Sequence, residues 1–172
     1  NRAADDLAGR AAITASSELP DGQADNVVSG QTRCVHGTDG APPERANPGT
    51  HRWMSDPAQE LPGWIQLSWA QPIQPTQVQL VFDTGLHRVL TFSHADGYTA
   101  LMKWGRPQPE TVKDYTIEAQ VEGQWRQIVR VHGNYQRRVV HRIEADFFNA
   151  LRINVTATNG VDHVRICEVR VY

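Results

Sequence analysis

The stretch WIQLSW, residues Trp64–Trp69, alternates its side chains with a period of two. Three apolar residues fall on one side of this alternation: Ile65, Leu67 and Trp69. A period of two is that of a β-strand, in which successive side chains point to opposite faces of a sheet. The stretch therefore predicts a strand with one buried face and one face toward solvent.

The same period recurs along the chain and no amphipathic helix interrupts it. The segments that show it are Ala11–Ser17, Gln77–Phe82, Tyr115–Val121, Val139–Ile143, Leu151–Val155 and Cys167–Tyr172, with VLTF (89–92) as a possible eighth short strand. Turn residues separate several of them, at Glu122–Gly123, His132–Asn134 and Thr158–Gly160. About eight short strands with one solvated face predict an all-β fold, an antiparallel two-sheet sandwich.

Length and charge limit the function classes. The chain has 172 residues, enough for one domain (1–172, core about 11–172), and its net charge is −2 with 17 Lys and Arg spread along it. Scattered basic residues argue against a nucleic-acid partner, and no apolar run is long enough for a membrane span. Because it begins at Asn1, we expect a mature or excised part of a larger protein.

Two long segments lack strand periodicity and are rich in glycine and proline: 29–50 and 83–113. Long loops on a rigid sandwich are common recognition sites. Trp104, in MKWGRPQP of the second loop, has no period-two neighbours; its indole either stacks on a sugar ring or folds the loop back onto the sandwich.

Polar residues near Trp104 and in the NYQRR turn complete the candidate ligand site: His87, Arg88, Arg106, Tyr135 and Arg137. Arginine and histidine can donate hydrogen bonds to hydroxyls or a carboxylate. The alternatives are a salt bridge from loop to strand for Arg88 and Arg137, and a buried corner position for Tyr135.

Several motifs in order resemble the discoidin-like, galactose-binding-like jelly rolls, which include coagulation-factor C domains and bacterial carbohydrate-binding modules. They are AAITASSE, NVVSG, HRWMSD, LPGWIQLSW, TQVQLVFDT, DYTIEAQVEGQWRQI and the ending ICEVRVY. FDTGLHR, VKDYTIEA and GNYQRRVVHRI resemble the C-terminal ancillary module of bacterial FAD-dependent oxidoreductase-like proteins. The resemblance implies a secreted or periplasmic module of a larger bacterial protein.

The resemblance also implies roles for the tryptophans of the 51–69 segment. Trp53 would cap the core under the first long loop, and Trp64 would pack at the edge of the sandwich. Trp69, on the face of Ile65 and Leu67, is expected in the core. All three are interpreted as structural.

A structural Ca²⁺ is a further implication of the resemblance, because many such jelly rolls bind one through an Asp-Gly turn and a glutamate of the last strand. Glu168 matches that glutamate, but Ser29-Gly30 replaces Asp-Gly. Asn26, Ser29 and Thr32 could supply neutral oxygens to the cation.

Cys34 and Cys167 are too few for a disulfide scaffold and too far apart for a Cys-x-x-Cys metal site. They either form one disulfide or are two buried thiols.

No catalytic motif is present: Gly-x-Ser-x-Gly, His-Glu-x-x-His, a phosphate-binding glycine loop and a dinucleotide fingerprint are all missing. We therefore expect no enzyme. The favoured hypothesis is a non-catalytic module that binds a polysaccharide or glycan through loops at one end of the sandwich. The alternatives are an ancillary module that docks on a catalytic domain of the parent polypeptide, and an adhesion domain for protein or lipid.

Overall fold

The structure is a computed structural model that describes residues 3–30, 51–85, 105–144 and 146–172. Within these ranges the chain forms nine strands. They are β1 (Ala12–Ala15), β2 (Trp53–Met54), β3 (Gly63–Ile73), β4 (Gln77–Phe82), β5 (Val112–Val121), β6 (Gln124–Val131), β7 (Arg138–Arg142), β8 (Phe148–Thr158) and β9 (Arg165–Val171). Short 3-10 helices span Leu7–Arg10, Ala24–Val28 and Pro57–Gln59. No helix in the described part is long and apolar enough to cross a membrane.

The strands form two antiparallel sheets that enclose one core. The five-stranded sheet has the order β1-β3-β8-β5-β6, and the four-stranded sheet has the order β2-β9-β4-β7. The predicted all-β sandwich is confirmed. β3 contains the WIQLSW stretch at its centre and pairs on both sides, with β1 and β8.

Two strands escaped the sequence prediction for physical reasons. β2 has two residues, which is too short for any period to show. β6 is an edge strand with half-buried and exposed residues in irregular order, and a β-bulge interrupts its pairing with β5 between Ile117 and Glu118. A bulge shifts the alternation by one residue and hides the period. The Ala11–Ser17 strand is shorter than predicted, at Ala12–Ala15.

The core position of two tryptophans is confirmed. Trp53 is fully buried and its indole N–H donates to the main-chain oxygen of Ser17 at 2.9 Å. Trp69 is 8% exposed and its indole N–H donates to the main-chain oxygen of Leu7 at 2.9 Å. Both indoles thereby fix segments outside the sheets against the core.

Trp64 lies elsewhere than the resemblance implied. The expectation that Trp64 packs at the edge of the sandwich is wrong. β3 is an inner strand, and the half-buried Trp64 ring lies on the outer face of the five-stranded sheet. The guanidinium carbon of Arg152, on β8, lies 4.6 Å from the ring centroid. The structural role of Trp64 is therefore a cation–π contact on the outer face of the sheet.

The two sheets are joined by a polar contact inside the sandwich. Tyr115 of β5 is 1% exposed, and its hydroxyl lies 2.8 Å from Nε2 of His141 on β7. Burial raises the pKa of Tyr115 and lowers the pKa of His141, so both groups are neutral near pH 7. Phe82 packs edge-on against Tyr115 at 5.3 Å between ring centroids.

A buried ion-pair cluster holds one end of the sandwich together. The Asp83 carboxylate, just after β4, lies 3.2 Å from Arg52 and 3.7 Å from Arg165. Its side chain is 3% exposed, and its other oxygen accepts from the Gly85 N–H at 2.8 Å. The cluster therefore joins the ends of both long loop segments to the start of β9, and we call this the loop end.

Asp83→Ala should lower the free energy of unfolding by about 3–5 kcal/mol, because it removes the carboxylate that the buried Arg52 and the half-buried Arg165 share. The measurement is urea unfolding followed by circular dichroism. Asp162→Ala is the matched control: that aspartate is on the same end but its side chain is 76% exposed, so stability should change little. Equal effects of the two substitutions would contradict the anchoring role of Asp83.

Candidate functional site

The loop end gathers the connections that sequence analysis singled out for recognition. The β6–β7 turn (132–137), the β8–β9 loop (159–164) and the segment before β5 (105–111) all lie at this end, because they join strand ends that are paired in the sheets. The opposite end has the short β5–β6 turn at Glu122–Gly123 and the β3–β4 connection. Among the described residues, these three connections therefore lie together on one side of the fold.

Two asparagines lock the three loop-end segments together. The Asn159 side-chain nitrogen donates to the main-chain oxygens of Thr111 (3.0 Å) and Asn134 (2.9 Å). The Asn134 side-chain nitrogen donates to the main-chain oxygen of Val112 at 2.7 Å, and its side-chain oxygen accepts from the Gln136 N–H at 3.1 Å. The buried Asn134 amide and the half-buried Asn159 amide, both with hydrogen-bond partners, hold the turn in one conformation.

Tyr135 is presented to solvent by this rigid turn. Its side chain is 65% exposed, while the preceding Asn134 is only 8% exposed. Gly133 adopts a positive φ of 68° and its N–H donates to Asp114 at 2.8 Å, a conformation that glycine allows at low cost. The alternative of a buried corner tyrosine is therefore wrong, and the ring is an exposed aromatic surface on a fixed base.

The two described arginines of the predicted site have different positions. Arg137 donates from Nη1 to the Thr84 hydroxyl at 3.2 Å, and the Arg137 main-chain oxygen accepts from the Phe82 N–H. Arg137 therefore joins the turn to the segment after β4. This is close to its alternative role, a link from loop to strand, but the link is a hydrogen bond and not a salt bridge. Arg106 is exposed at the start of the 105–111 segment.

Three predicted ligand residues, Trp104, His87 and Arg88, lie outside the described residues, as do Thr32 and Cys34. The predicted proximity of Trp104, Arg88 and Tyr135 stays a prediction, and so does the pairing of Cys34 with the buried Cys167.

Sequence analysis missed a linear chain of polar groups on the β8–β9 loop. The Asp162 carboxylate lies 2.7 Å from Nδ1 of His163, and Nε2 of His163 accepts from Nε of Arg165 at 2.9 Å. Hydrogen bonding by His163 lowers the pKa of Asp162. Because Arg165 also contacts Asp83, the chain runs from the buried cluster to an exposed carboxylate. No sequence motif signals it, since it depends on a loop conformation.

Glu168 of β9, the residue implied for calcium, uses only one of its two carboxylate oxygens in a contact with Arg170. Oε1 lies 3.0 Å from Nη2 of Arg170, while Oε2 is buried with no hydrogen-bond partner in the described part of the chain. The pairing raises the pKa of Arg170. The Oε2 atom suits a hard cation, but the Arg170 guanidinium at Oε1 already neutralises part of the negative charge of Glu168.

The neutral oxygens proposed for calcium lie near β9. Asn26 is in the Ala24–Val28 helix, Ser29 follows it, and this helix packs against β9. The Asn26 side-chain nitrogen donates to the Arg52 main-chain oxygen at 3.0 Å. Across the described ranges, no group of three or more His, Cys, Asp or Glu is placed to hold a metal. The fit to calcium is therefore partial, with Glu168 as the single carboxylate.

Neither the scan against protein-family models nor the search of curated proteins gave a match. Solved structures do match over nearly the whole chain. The module CpGH89CBM32-5 from Clostridium perfringens, in complex with GalNAc-beta-1,3-galactose, has a TM-score of 0.66 at 14% identity, covering 98% of this chain and 99% of that one. The family 32 module of C. perfringens NanJ, in complex with galactose, has a TM-score of 0.66 at 10% identity, covering 96% of both chains.

A third neighbour is chitosan-binding module 1 of a chitosanase/glucanase from Paenibacillus sp. IK-5, with a TM-score of 0.66 at 16% identity, covering 97% of this chain and 98% of that one. At such low identities a match concerns the backbone and not the site residues. The chain thus has the discoidin-like, galactose-binding-like jelly-roll fold that family 32 carbohydrate-binding modules share.

Proposed function

We propose that this protein is a non-catalytic carbohydrate-binding module whose loop end binds a glycan. The observation that carries the proposal is Tyr135, an exposed aromatic ring on a turn that Asn134 and Asn159 hold rigid. Support comes from the fold, since the family 32 modules similar to it were solved in complex with galactose and a galactose-containing disaccharide.

The chemistry of the loop end suits a sugar. An aromatic ring stacks on the apolar face of a pyranose, while charged groups at its rim exchange hydrogen bonds with hydroxyls. Asp162 offers an exposed carboxylate as acceptor, and Arg106 offers an exposed guanidinium as donor. Trp104, His87 and Arg88 are proposed to complete the site. A small ligand on an open surface buries little area, so dissociation constants from about micromolar to millimolar are expected.

A second candidate is an ancillary module that docks on a catalytic domain of a larger, secreted or periplasmic bacterial protein. The observation that favours it is that similar folds occur inside long enzymes: the chain matches 14% of a family 89 glycoside hydrolase from C. perfringens and 28% of SpGH29. The two candidates are compatible when the module both binds a glycan and adjoins a catalytic domain.

Tyr135→Ala and Trp104→Ala should each weaken glycan binding at least ~10-fold, because each removes a stacking surface. The ligand is first identified on an array that includes galactose- and GalNAc-terminated glycans, and affinity is then measured by calorimetry. Phe147→Ala is the matched control, since Phe147 is also an exposed aromatic (60%) but precedes β8 at the opposite end.

The Tyr135 and Phe147 variants should both keep the melting temperature of the parent, because exposed rings contribute little to the core. An array with no bound glycan, together with stable variants, would favour the docking module. If Trp104→Ala instead destabilises the fold by several kcal/mol, as truncating a buried tryptophan does, Trp104 is a core residue and not a ligand platform.

We also propose that a structural Ca²⁺ binds at Glu168 with neutral oxygens from Asn26, Ser29 and Thr32. Added calcium should then raise the melting temperature relative to EDTA, because a ligand that binds only the folded state stabilises it. Glu168→Gln should remove the response. An unchanged melting temperature in calcium would contradict the site.

A further inference from the structure

The outer face of the five-stranded sheet, on the side opposite the core, carries three cross-strand rows of four residues. The first row is Trp64, Asn154, Thr116 and Arg130; the second is Gln66, Arg152, Glu118 and Gln127; the third is Ser68, Ala150, Gln120 and Trp125. Eleven of the twelve are polar or aromatic, and Ala150 is the exception. We call these twelve residues the outer-face grid.

Arg152 lies at the centre of the grid between two indoles. Its guanidinium carbon is 4.6 Å from the Trp64 ring centroid and 4.3 Å from the Trp125 ring centroid. Its Nε and Nη2 both donate to the side-chain oxygen of Gln66, at 3.3 and 2.8 Å. Gln66 is itself oriented, because its side-chain nitrogen donates to the Ser68 hydroxyl at 3.0 Å. The guanidinium is therefore held in one place before any ligand arrives.

Donor capacity remains on this guanidinium. Arginine has five N–H donors, and Gln66 receives only one from Nε and one from Nη2. In the described part of the chain Nη1 of Arg152 has no hydrogen-bond partner. The remaining N–H groups of Nη1 and Nη2 match the two oxygens of a carboxylate, in the bidentate geometry that arginine favours.

The charges of the grid favour an anion over a cation. The grid has two arginines, Arg152 and Arg130, and one acid, Glu118, although the whole chain has a net charge of −2. Glu118 faces Arg152 in register, yet the described residues show no ion pair between them, and its carboxylate accepts from the Thr116 hydroxyl at 3.3 Å. Arg130 is turned to Gln127, its neighbour on β6, at 2.9 Å.

We propose that the outer-face grid is a second binding site, distinct from the loop end, for the carboxylate of an acidic sugar such as a uronic acid. The carboxylate would pair with Arg152, and the ring would lie against the edges of Trp64 and Trp125. Amide and hydroxyl side chains around the arginine, those of Gln120, Asn154 and Thr116, suit sugar hydroxyls. Addition of a peptide strand is excluded at the centre of this sheet, because β3, β8 and β5 are each paired on both sides.

The test follows the indole N–H signals of the unmodified protein by NMR during titration with sodium galacturonate and, separately, with neutral galactose. Galactose has the same ring with a neutral hydroxymethyl group in place of the carboxylate. Galacturonate should shift the signals of Trp64 and Trp125 in a saturable manner. Trp53 and Trp69 are internal references, because their N–H groups are bonded to main-chain oxygens inside the protein.

Matched variants separate a specific pair from general attraction by charge. Arg152→Gln should weaken galacturonate binding at least ~10-fold, because a charge-assisted bidentate contact is lost. Arg130→Gln removes the same charge from the same face and should change the affinity less than ~3-fold, since screened charges at a distance contribute little. Tyr135→Ala, at the loop end, should leave the galacturonate response unchanged, so the two sites can fail independently.

Several results would overturn the proposal. They are equal shifts of Trp64 and Trp125 with galactose and galacturonate, equal losses in the Arg152 and Arg130 variants, and no shift up to high millimolar galacturonate. A response to an acidic peptide without a response to galacturonate would assign the face to a protein partner instead. The wild-type comparison of the two sugars decides the question even when Arg152→Gln is too unstable to study.

Discussion

The ion pairs of Asp83 with Arg52 and Arg165 are the constraint on which the rest of the loop end depends. The core between the sheets is mostly apolar, and its close packing alone carries no charge that fixes the loop segments. The buried Asp83 carboxylate does so, because the buried Arg52 and the half-buried Arg165 share it and its removal would leave the Arg52 charge buried without it. Since the same aspartate follows β4 directly, it also sets where the second long loop leaves the sandwich.

Outside this cluster, side-chain amides bond the main chain of the loop-end segments and hold them in place. Asn134 bonds the start of β5, Asn159 bonds the main chain of Asn134, and Tyr135 beside them is exposed. The exposed Tyr135 ring thus lies beside the buried Asn134 amide, at the same end of the fold as the buried Asp83 carboxylate. Such a surface loses little conformational entropy on binding, which suits a module with weakly held small ligands.

Much of the fold could be predicted from the sequence, and the reason is the period of two. Strands with one wet face, such as β3 and β8, show it directly, whereas the bulged edge strand β6 and the two-residue β2 do not. The candidate site was only partly predictable. Tyr135 stood out through its turn residues, but the Asp162 chain depends on loop geometry. The contact of Arg152 with Trp64 and Trp125 joins three strands that are far apart in sequence, so no local sequence pattern predicts it.

We propose that a neutral glycan binds at the loop end, and not on a sheet face or at the opposite end. An open groove of about 750 Å³ beside Phe147, at the opposite end, is the competing location. The most direct measurement is a crystal structure of the protein soaked with the best neutral glycan from the array. We expect sugar density stacked on the Tyr135 ring. Density only in the groove beside Phe147, with the loop end empty, would contradict it.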